Sequence, residues 1–243
     1  MSSEVSQWYA SWFNTPYYHI LYKDRDHKEA RLFMDRLTAI LKLDKNSHIM
    51  DLACGKGRHS IYLNQIGFEV TGVDLSKESI NYAKQFENHR LHFDIHDMCL
   101  PYHSQFDAVF NLFTSFGYFE KEEDNLRTIE AIKSNLKPDG VAVIDFMNVD
   151  QVISQLVSED SKEIDGILFR MNRVYKDGYI IKSIDFEDNG RKYAFEERVK
   201  AFRLDDFKDM FEQANVSIID VFGDYHLNSF DPQKSDRLIM TFK

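Results

Sequence analysis

The sequence is poor in the features that mark linker-rich, membrane and nucleic-acid-binding chains. Its 243 residues hold only 4 Pro and 10 Gly. With 20 Phe and 12 Tyr beside them, that composition excludes a disordered or low-complexity chain. No apolar run approaches the roughly 20 residues that cross a bilayer. Met1–Asn14 lacks the basic start and apolar block of a secretory signal. The two cysteines, Cys54 and Cys99, are too few for a disulfide framework, so a reducing cytoplasm is the expected compartment. Basic charge is scarce as well: 30 Lys and Arg stand against 40 Asp and Glu, a net of −10. Binding to a phosphate backbone needs clustered Lys and Arg. Neither nucleic acid nor a membrane is therefore an expected partner, and a neutral or cationic small molecule suits the charge better. Oligomeric state is not legible.

What is present is a hydrophobic fraction of 43% arranged in alternating textures. Near the N-terminus an aromatic stretch (Trp8, Tyr9, Trp12, Phe13, Tyr17, Tyr18, Tyr22) precedes a helical pattern. In that pattern Ala30, Phe33, Met34, Leu37, Ile40 and Leu41 share one face. From His48 the pattern becomes strand–helix–strand. Strands are expected at 48–53, 68–74, 91–95, 106–112 and 141–146, with helices at 58–66, 76–86 and 124–136 and a turn at Lys137–Gly140. That alternation implies crossover units and a parallel sheet covered on both faces. Three further strands, at 167–176, 179–187 and 192–202, are joined by Asp177-Gly178 and Asn189-Gly190, dipeptides suited to two-residue hairpin turns. A helix at 204–214 and strands at 216–222 and 238–242 complete the chain. The expected domains are a helical lid over 1–45, a core over 46–150, an antiparallel β insert over 151–202, and a return to the core over 203–243.

The chemistry concentrates at His48–Ser60. A hydrophobic strand runs into Gly55 and Gly57, and a helix begins at once. Small residues admit close approach of a ligand, and a helix N-terminus offers free N–H groups to an anion. Asp74 follows 17 residues after Gly57, at the end of the second strand. An acid there can accept from both hydroxyls of a ribose. The combination describes a nucleoside-bearing ligand across the carboxyl ends of the strands.

A dinucleotide fingerprint would place Gly or Ala where this chain has Ser60. The pattern here opens instead with Asp51, four residues before Gly55. This Asp-x-x-x-Gly-x-Gly spacing resembles the class I S-adenosylmethionine-dependent methyltransferases. So do Asp74, Asp97-Met98, Asp107–Asn111 and Leu136–Gly140, in order. The resemblance spans about 51–146 and 202–243. It implies a Rossmann-like α/β fold: a seven-stranded, mostly parallel sheet with helices on both faces, plus the small antiparallel β insert. It also implies S-adenosylmethionine as cofactor and a small-molecule methyl acceptor. Residue by residue, Asp51 opens the motif and counts among the cofactor-binding residues, and Ala53, Cys54, Gly55 and Gly57 would face the methionine end. Asp74 would hold the ribose, with Leu75 on the adenine. Asp97 and the Met98 N–H would meet the adenine edge, and Asn111 and Leu112 would lie near the sulfonium. Phe113, Phe116 and Tyr118 would line the acceptor pocket, between the aromatic N-terminal segment and the insert.

The acceptor end departs from well-marked subfamilies. The fourth strand has no Asn-Pro-Pro-Tyr signature, and no Lys-Asp-Lys-Glu tetrad is present. Tyr18, His19, Tyr22 and His59 are the candidates for a base, which a weakly acidic acceptor needs. His92, His96, Cys99 and His103 suggest zinc, but they span a strand and its exit loop without a paired Cys-x-x-Cys, so no metal is expected. Two rival readings stand beside the enzyme: a sensor that binds S-adenosylmethionine without turnover, and a nicotinamide-dependent oxidoreductase. The antiparallel tail argues against the second.

Overall fold

The computed structural model describes residues 8–23 and 27–243. The described residues form two compact units: 8–23 with 153–201, and 27–152 with 202–243.

The larger unit is built on a seven-stranded sheet. Its strands are β1 (His48–Leu52), β2 (Glu69–Asp74), β3 (Leu91–Ile95), β4 (Phe106–Asn111), β5 (Leu136–Met147), β10 (Ile218–Phe222) and β11 (Arg237–Phe242). They lie in the order β10-β11-β5-β4-β1-β2-β3, and β11 alone runs against its neighbours. The chain lays β1, β2 and β3 toward one edge, then returns to place β4 and β5 on the other side of β1. The crevice beyond the carboxyl ends of β1 and β4 is thus the point where strand order reverses, the usual ligand position in open α/β sheets. The helices are α3 (His27–Ile40), α4 (Arg58–Gln65), α5 (Lys77–Ala83), α6 (Glu122–Ser134) and α8 (Leu204–Gln213).

The core of this unit joins Phe33, Met34 and Leu37 of α3 to Phe68, Phe93, Phe110, Val143 and Ile239. The face expected on α3 is buried at Ala30, Phe33, Met34 and Leu37, but Ile40 is 45% exposed. At 3.6 residues per turn Ile40 falls on the rim of that face, in the helix's last position. The expected turn at Lys137–Gly140 is instead part of β5. Between the pairs Phe106–Leu136 and Ala108–Val141 the register shifts, with Lys137–Gly140 opposite Asp107 alone. A Cβ on Gly140 would sit 3.0 Å from the Lys137 and Phe106 carbonyl oxygens, so this bulge requires glycine.

The smaller unit is a four-stranded antiparallel sheet, β6 (Glu159–Ile164), β7 (Ile167–Lys176), β8 (Tyr179–Asp188) and β9 (Arg191–Lys200), in that order. Asp165-Gly166, Asp177-Gly178 and Asn189-Gly190 all have positive φ at both residues, the requirement of a type I′ hairpin. The insert was expected to have three strands. β6 escapes a hydrophobic reading because five of its six residues are exposed, and a charged edge strand also resists pairing with another chain.

The short helices α1 (Trp8–Phe13) and α2 (Pro16–Leu21) lie in this smaller unit. Fully buried Trp12 packs on Phe195 with ring centroids 4.5 Å apart, and Tyr17 lies 4.6 Å from Phe186. Trp12 Nε1 donates to Glu197 at 2.8 Å, and Tyr22 donates to the same carboxylate at 2.6 Å. Trp12, Phe13, Tyr17, Tyr18 and Tyr22 pack in the core of this smaller unit, whereas α3 belongs to the larger unit.

Candidate functional site

The turn between β1 and α4 is wound by three left-handed residues, Ala53 (φ 62°), Gly55 (φ 56°) and Gly57 (φ 79°). Its two glycines have different reasons. A Cβ on Gly55 would meet nothing within 4 Å, so the backbone there borders open space. A Cβ on Gly57 would lie 2.7 Å from the Phe93 ring. Gly57 thus lets α4 pack down on β3.

Asp51 is likewise turned inward. It is buried and accepts from the Ser60 N–H at 3.1 Å and the Ser60 hydroxyl at 2.5 Å. The N-cap residue of α4 is Gly57, which has no side chain to cap with, so Asp51 satisfies the first turn from a distance. Burial raises its pKa to about 6, against the lowering effect of the two Ser60 hydrogen bonds. Asp51 builds the turn. Cys54 is also buried, which holds its thiol well above the ordinary range and leaves it unsuited to attack as a thiolate.

Asp74 reaches across from β2. One oxygen accepts from the Gly55 N–H at 2.8 Å and the other from the Ser76 N–H at 2.7 Å. Burial pushes its pKa up, and those two N–H groups oppose the shift. A carboxylate has about four acceptor sites, so two remain for hydroxyl donors. Leu75 next to it is 42% exposed, and Ile95 at the end of β3 is 52% exposed, so two apolar side chains stand uncovered at this edge. Asp97 accepts from the Cys99 N–H at 2.9 Å through one oxygen, and Met98 is half-buried.

Asn111 closes β4. Its Nδ2 donates to the Leu52 carbonyl at 3.1 Å, which ties the ends of β4 and β1 together. Its Oδ1 is buried with no hydrogen-bond partner among the described residues. Leu112 is buried beside it. Phe113 and Thr114 both have φ 59°. The Phe113 ring stacks on His59 at 5.0 Å and on Tyr225 at 5.3 Å, with the Arg58 guanidinium 4.5 Å from its centre. Phe116 is fully buried against Phe207 at 5.4 Å and Phe202 at 6.1 Å. The half-buried Tyr118 donates to the Thr114 carbonyl at 2.6 Å.

The candidate bases are dispersed. Arg58 Nη2 lies 3.2 Å from His59 Nε2. A guanidinium only donates, so this contact occupies the Nε2 lone pair and leaves Nδ1 to carry the proton. Tyr18, His19 and Tyr22 belong to the other unit. There Tyr22 accepts from Lys182 at 2.6 Å while donating to Glu197. His92, His96, Cys99 and His103 do not converge: among the described residues no three His, Cys, Asp or Glu could hold a metal ion. Burial raises the Cys99 pKa to about 11.

Three residues near this site were not anticipated. Asp145 on β5 is fully buried, and Arg237 on β11 donates to it through Nε at 2.8 Å. The Tyr225 hydroxyl donates to the same carboxylate at 3.2 Å. A lone Asp inside the apolar run Val141–Met147 is the one signal available in the sequence. Tyr225 and Arg237 carry none, because only the fold brings β11 beside β5.

Residues 43–215 match the model of the "Methyltransferase domain" family. Among curated proteins, the chain is 37% identical over 107 residues to a putative methyltransferase, YqeM, of Bacillus subtilis, covering 42% of this chain and 43% of that protein. It is 34% identical over 123 residues to a glycine/sarcosine N-methyltransferase of Aphanothece halophytica, covering 47% and 46%. The chain thus spans under half the length of these curated relatives. Among solved structures, an S-adenosylmethionine-dependent methyltransferase of Clostridium acetobutylicum superposes with a TM-score of 0.78 at 21% identity, covering 93% of this chain and 95% of that one. The amino pentose methyltransferase CalS10 of Micromonospora echinaspora superposes with a TM-score of 0.68 at 19% identity, covering 94% and 96%. These structures share the fold. No helix among the described residues is long and apolar enough to cross a membrane.

Proposed function

Because the chain belongs to the methyltransferase-domain family, we propose that it transfers a methyl group from S-adenosylmethionine to a small-molecule acceptor, with an amine as the favoured acceptor group. The observation that carries this reading is the link from Gly55 to Asp74. The one open position of the turn is hydrogen-bonded to the one acid at the end of β2, at the point where strand order reverses.

The residues present fit the cofactor. Gly55 in the turn borders free space for the methionine end. Asp74 keeps two acceptor sites for ribose hydroxyls. Leu75 and Ile95 offer exposed apolar surface to an adenine face. The second oxygen of Asp97 and the Met98 N–H suit the adenine edge. Asn111 Oδ1 is a buried acceptor with capacity to spare, beside Leu112 near the reacting centre.

The cofactor supplies a methyl group on a positively charged sulfur that departs as a neutral thioether. The chain's part is to hold the acceptor's lone pair in line with the carbon–sulfur bond and to exclude water, which by positioning alone contributes several kcal/mol. A neutral amine attacks with its own lone pair and loses a proton afterwards, so this step needs no side-chain base. That agrees with a His59 whose Nε2 lone pair is already engaged. The relatives named for glycine, sarcosine and amino-sugar N-methylation support amines as the class.

The test is incubation with S-adenosylmethionine and a panel of glycine, sarcosine, dimethylglycine and amino sugars, reading S-adenosylhomocysteine release. Turnover on a panel amine is expected. Binding of S-adenosylhomocysteine without turnover on any acceptor would convert the reading to a sensor. Thermal protection by nicotinamide nucleotides but not by adenosyl compounds would overturn it.

A further inference from the structure

Phe113 and Thr114 are consecutive non-glycine residues at φ 59°. The left-handed region is disfavoured for any residue with a Cβ, and most of all for a β-branched one. Such backbone persists where its surroundings over-determine it, and it clusters at functional sites. Here one ion pair, between fully buried Asp145 and half-buried Arg237, does the holding. Asp145 Oδ2 accepts from the Phe113 N–H at 2.9 Å, and the Asp145 carbonyl accepts from the Thr114 N–H at 2.9 Å. Arg237 donates to Asp145 Oδ1 through Nε at 2.8 Å and to the Thr114 hydroxyl through Nη2 at 3.0 Å. Tyr225 adds its hydroxyl to the same carboxylate. Both strained residues are therefore gripped at the backbone, and Thr114 also at its side chain, by residues of β5 and β11.

The grip extends beyond the turn. Phe113 contacts Tyr225 and His59 by ring stacking, and Arg58 covers it. Arg58 and His59 are the first two residues of α4 and follow directly on the 53–57 turn. Movement of Phe113 is thus transmitted to the start of the helix that the glycine turn feeds. Asp74, Leu75 and Asp97 sit on the other side, after β2 and β3.

We propose that Asp145 and Arg237 are positioning residues for the methionine half of the site. They hold the Phe113–Thr114 turn in its left-handed shape and, through Phe113, fix the start of α4. This rests on the cofactor reading above and adds to it a division of labour: the Asp145–Arg237 pair governs the methionine end and leaves the adenosine end alone.

The experiment is calorimetric titration of the full chain with S-adenosylhomocysteine and, separately, with adenosine, which lacks the methionine half. Asp145→Asn and Arg237→Lys are each expected to weaken S-adenosylhomocysteine about tenfold to a hundredfold and adenosine by less than about twofold, as misplacement of one half of a ligand site does. A merely structural role lowers the folded fraction and weakens both ligands equally. Should Asp145→Asn fail to fold, Thr114 carries the test. Thr114→Gly, at home at this φ, is expected to keep S-adenosylhomocysteine affinity, and Thr114→Val, which keeps the strain and loses the hydroxyl, to lose it about tenfold. An unchanged ratio of the two affinities in every variant overturns the positioning role while leaving the cofactor reading intact. Wild-type protein that binds neither ligand overturns both.

Discussion

Asp51 and Ser60, nine residues apart, share two hydrogen bonds across the β1–α4 turn, from the Ser60 N–H at 3.1 Å and its hydroxyl at 2.5 Å. The most regular element of the sequence motif is thus a brace within the fold. Burial dominates its protonation and raises the carboxyl from 3.8 to about 6.

The sign of the resulting pH dependence follows. A carboxyl whose folded pKa lies above its unfolded value binds a proton on folding. Its contribution is full below pH 3.8 and is lost as pH rises through about 6. Two units correspond to about 3 kcal/mol. Asp51→Asn can still accept from the Ser60 N–H and can donate to its hydroxyl. The difference in unfolding free energy between wild type and Asp51→Asn, from urea titrations at pH 5 to 8, should therefore shift in favour of Asn as pH rises. Parallel curves would refute the assignment.

The two glycines of the turn should separate in their effects. Gly57→Ala drives a Cβ to within 2.7 Å of Phe93 at φ 79°, and a loss of about 2–4 kcal/mol is expected from clash and strain together. Gly55→Ala has open space and incurs only left-handed strain, about 1–2 kcal/mol. Its methyl group enters the proposed methionine pocket, so S-adenosylhomocysteine affinity should fall more than stability does. Urea unfolding and calorimetry on both variants check the pair; equal stability losses would contradict the Phe93 explanation.

Asn111 offers a polar group without a partner. Asn111→Leu removes the buried Oδ1 together with the bond to the Leu52 carbonyl. Loss of the Nδ2 donor to the Leu52 carbonyl is expected to lower stability by about 1–3 kcal/mol, partly offset by removal of the unpaired Oδ1. Affinity for S-adenosylmethionine should drop by about tenfold or more if Oδ1 serves the cofactor, one charge-assisted hydrogen bond being worth about 1.5–3 kcal/mol. Unaltered affinity would remove Asn111 from the site.

Glu197 anchors α1 and α2 on the insert by receiving Trp12 Nε1 and the Tyr22 hydroxyl, with Lys182 3.8 Å away. Glu197→Ala strands three polar groups, and a destabilisation of about 2–4 kcal/mol is expected. In a Trp8→Phe background the emission of Trp12 should move to the red as its buried site opens. Emission that stays blue would mean the helices hold without this carboxylate.

Much of the layout was legible because it is written locally. Alternating textures announced the crossover core, and Asp-Gly and Asn-Gly announced the hairpins, since few dipeptides accept positive φ at both positions. Legibility failed where the local signal is polar or composite. β6 carries charge on four of its five exposed positions and looks like a loop. Lys137-Pro138-Asp139-Gly140 has the composition of a turn yet lies in a bulged strand. From the aromatic N-terminal stretch, Trp12, Phe13, Tyr17, Tyr18 and Tyr22 pack in the core of a sheet about 150 residues further on, a pairing with no local signal.

The chain's order of residues alone determined that a hydrophobic strand enters a glycine turn and that an acid ends the next strand. Those features depend only on neighbours in sequence and on backbone permissiveness. Tertiary structure decided what each residue does there: Gly55 faces open space while Gly57 receives Phe93, Asp51 braces a helix while Asp74 keeps acceptor sites to spare, and Asp145 meets Arg237 across 92 positions to hold a strained turn. Role follows burial and partners, and partners brought together by strand order leave no trace in local spacing.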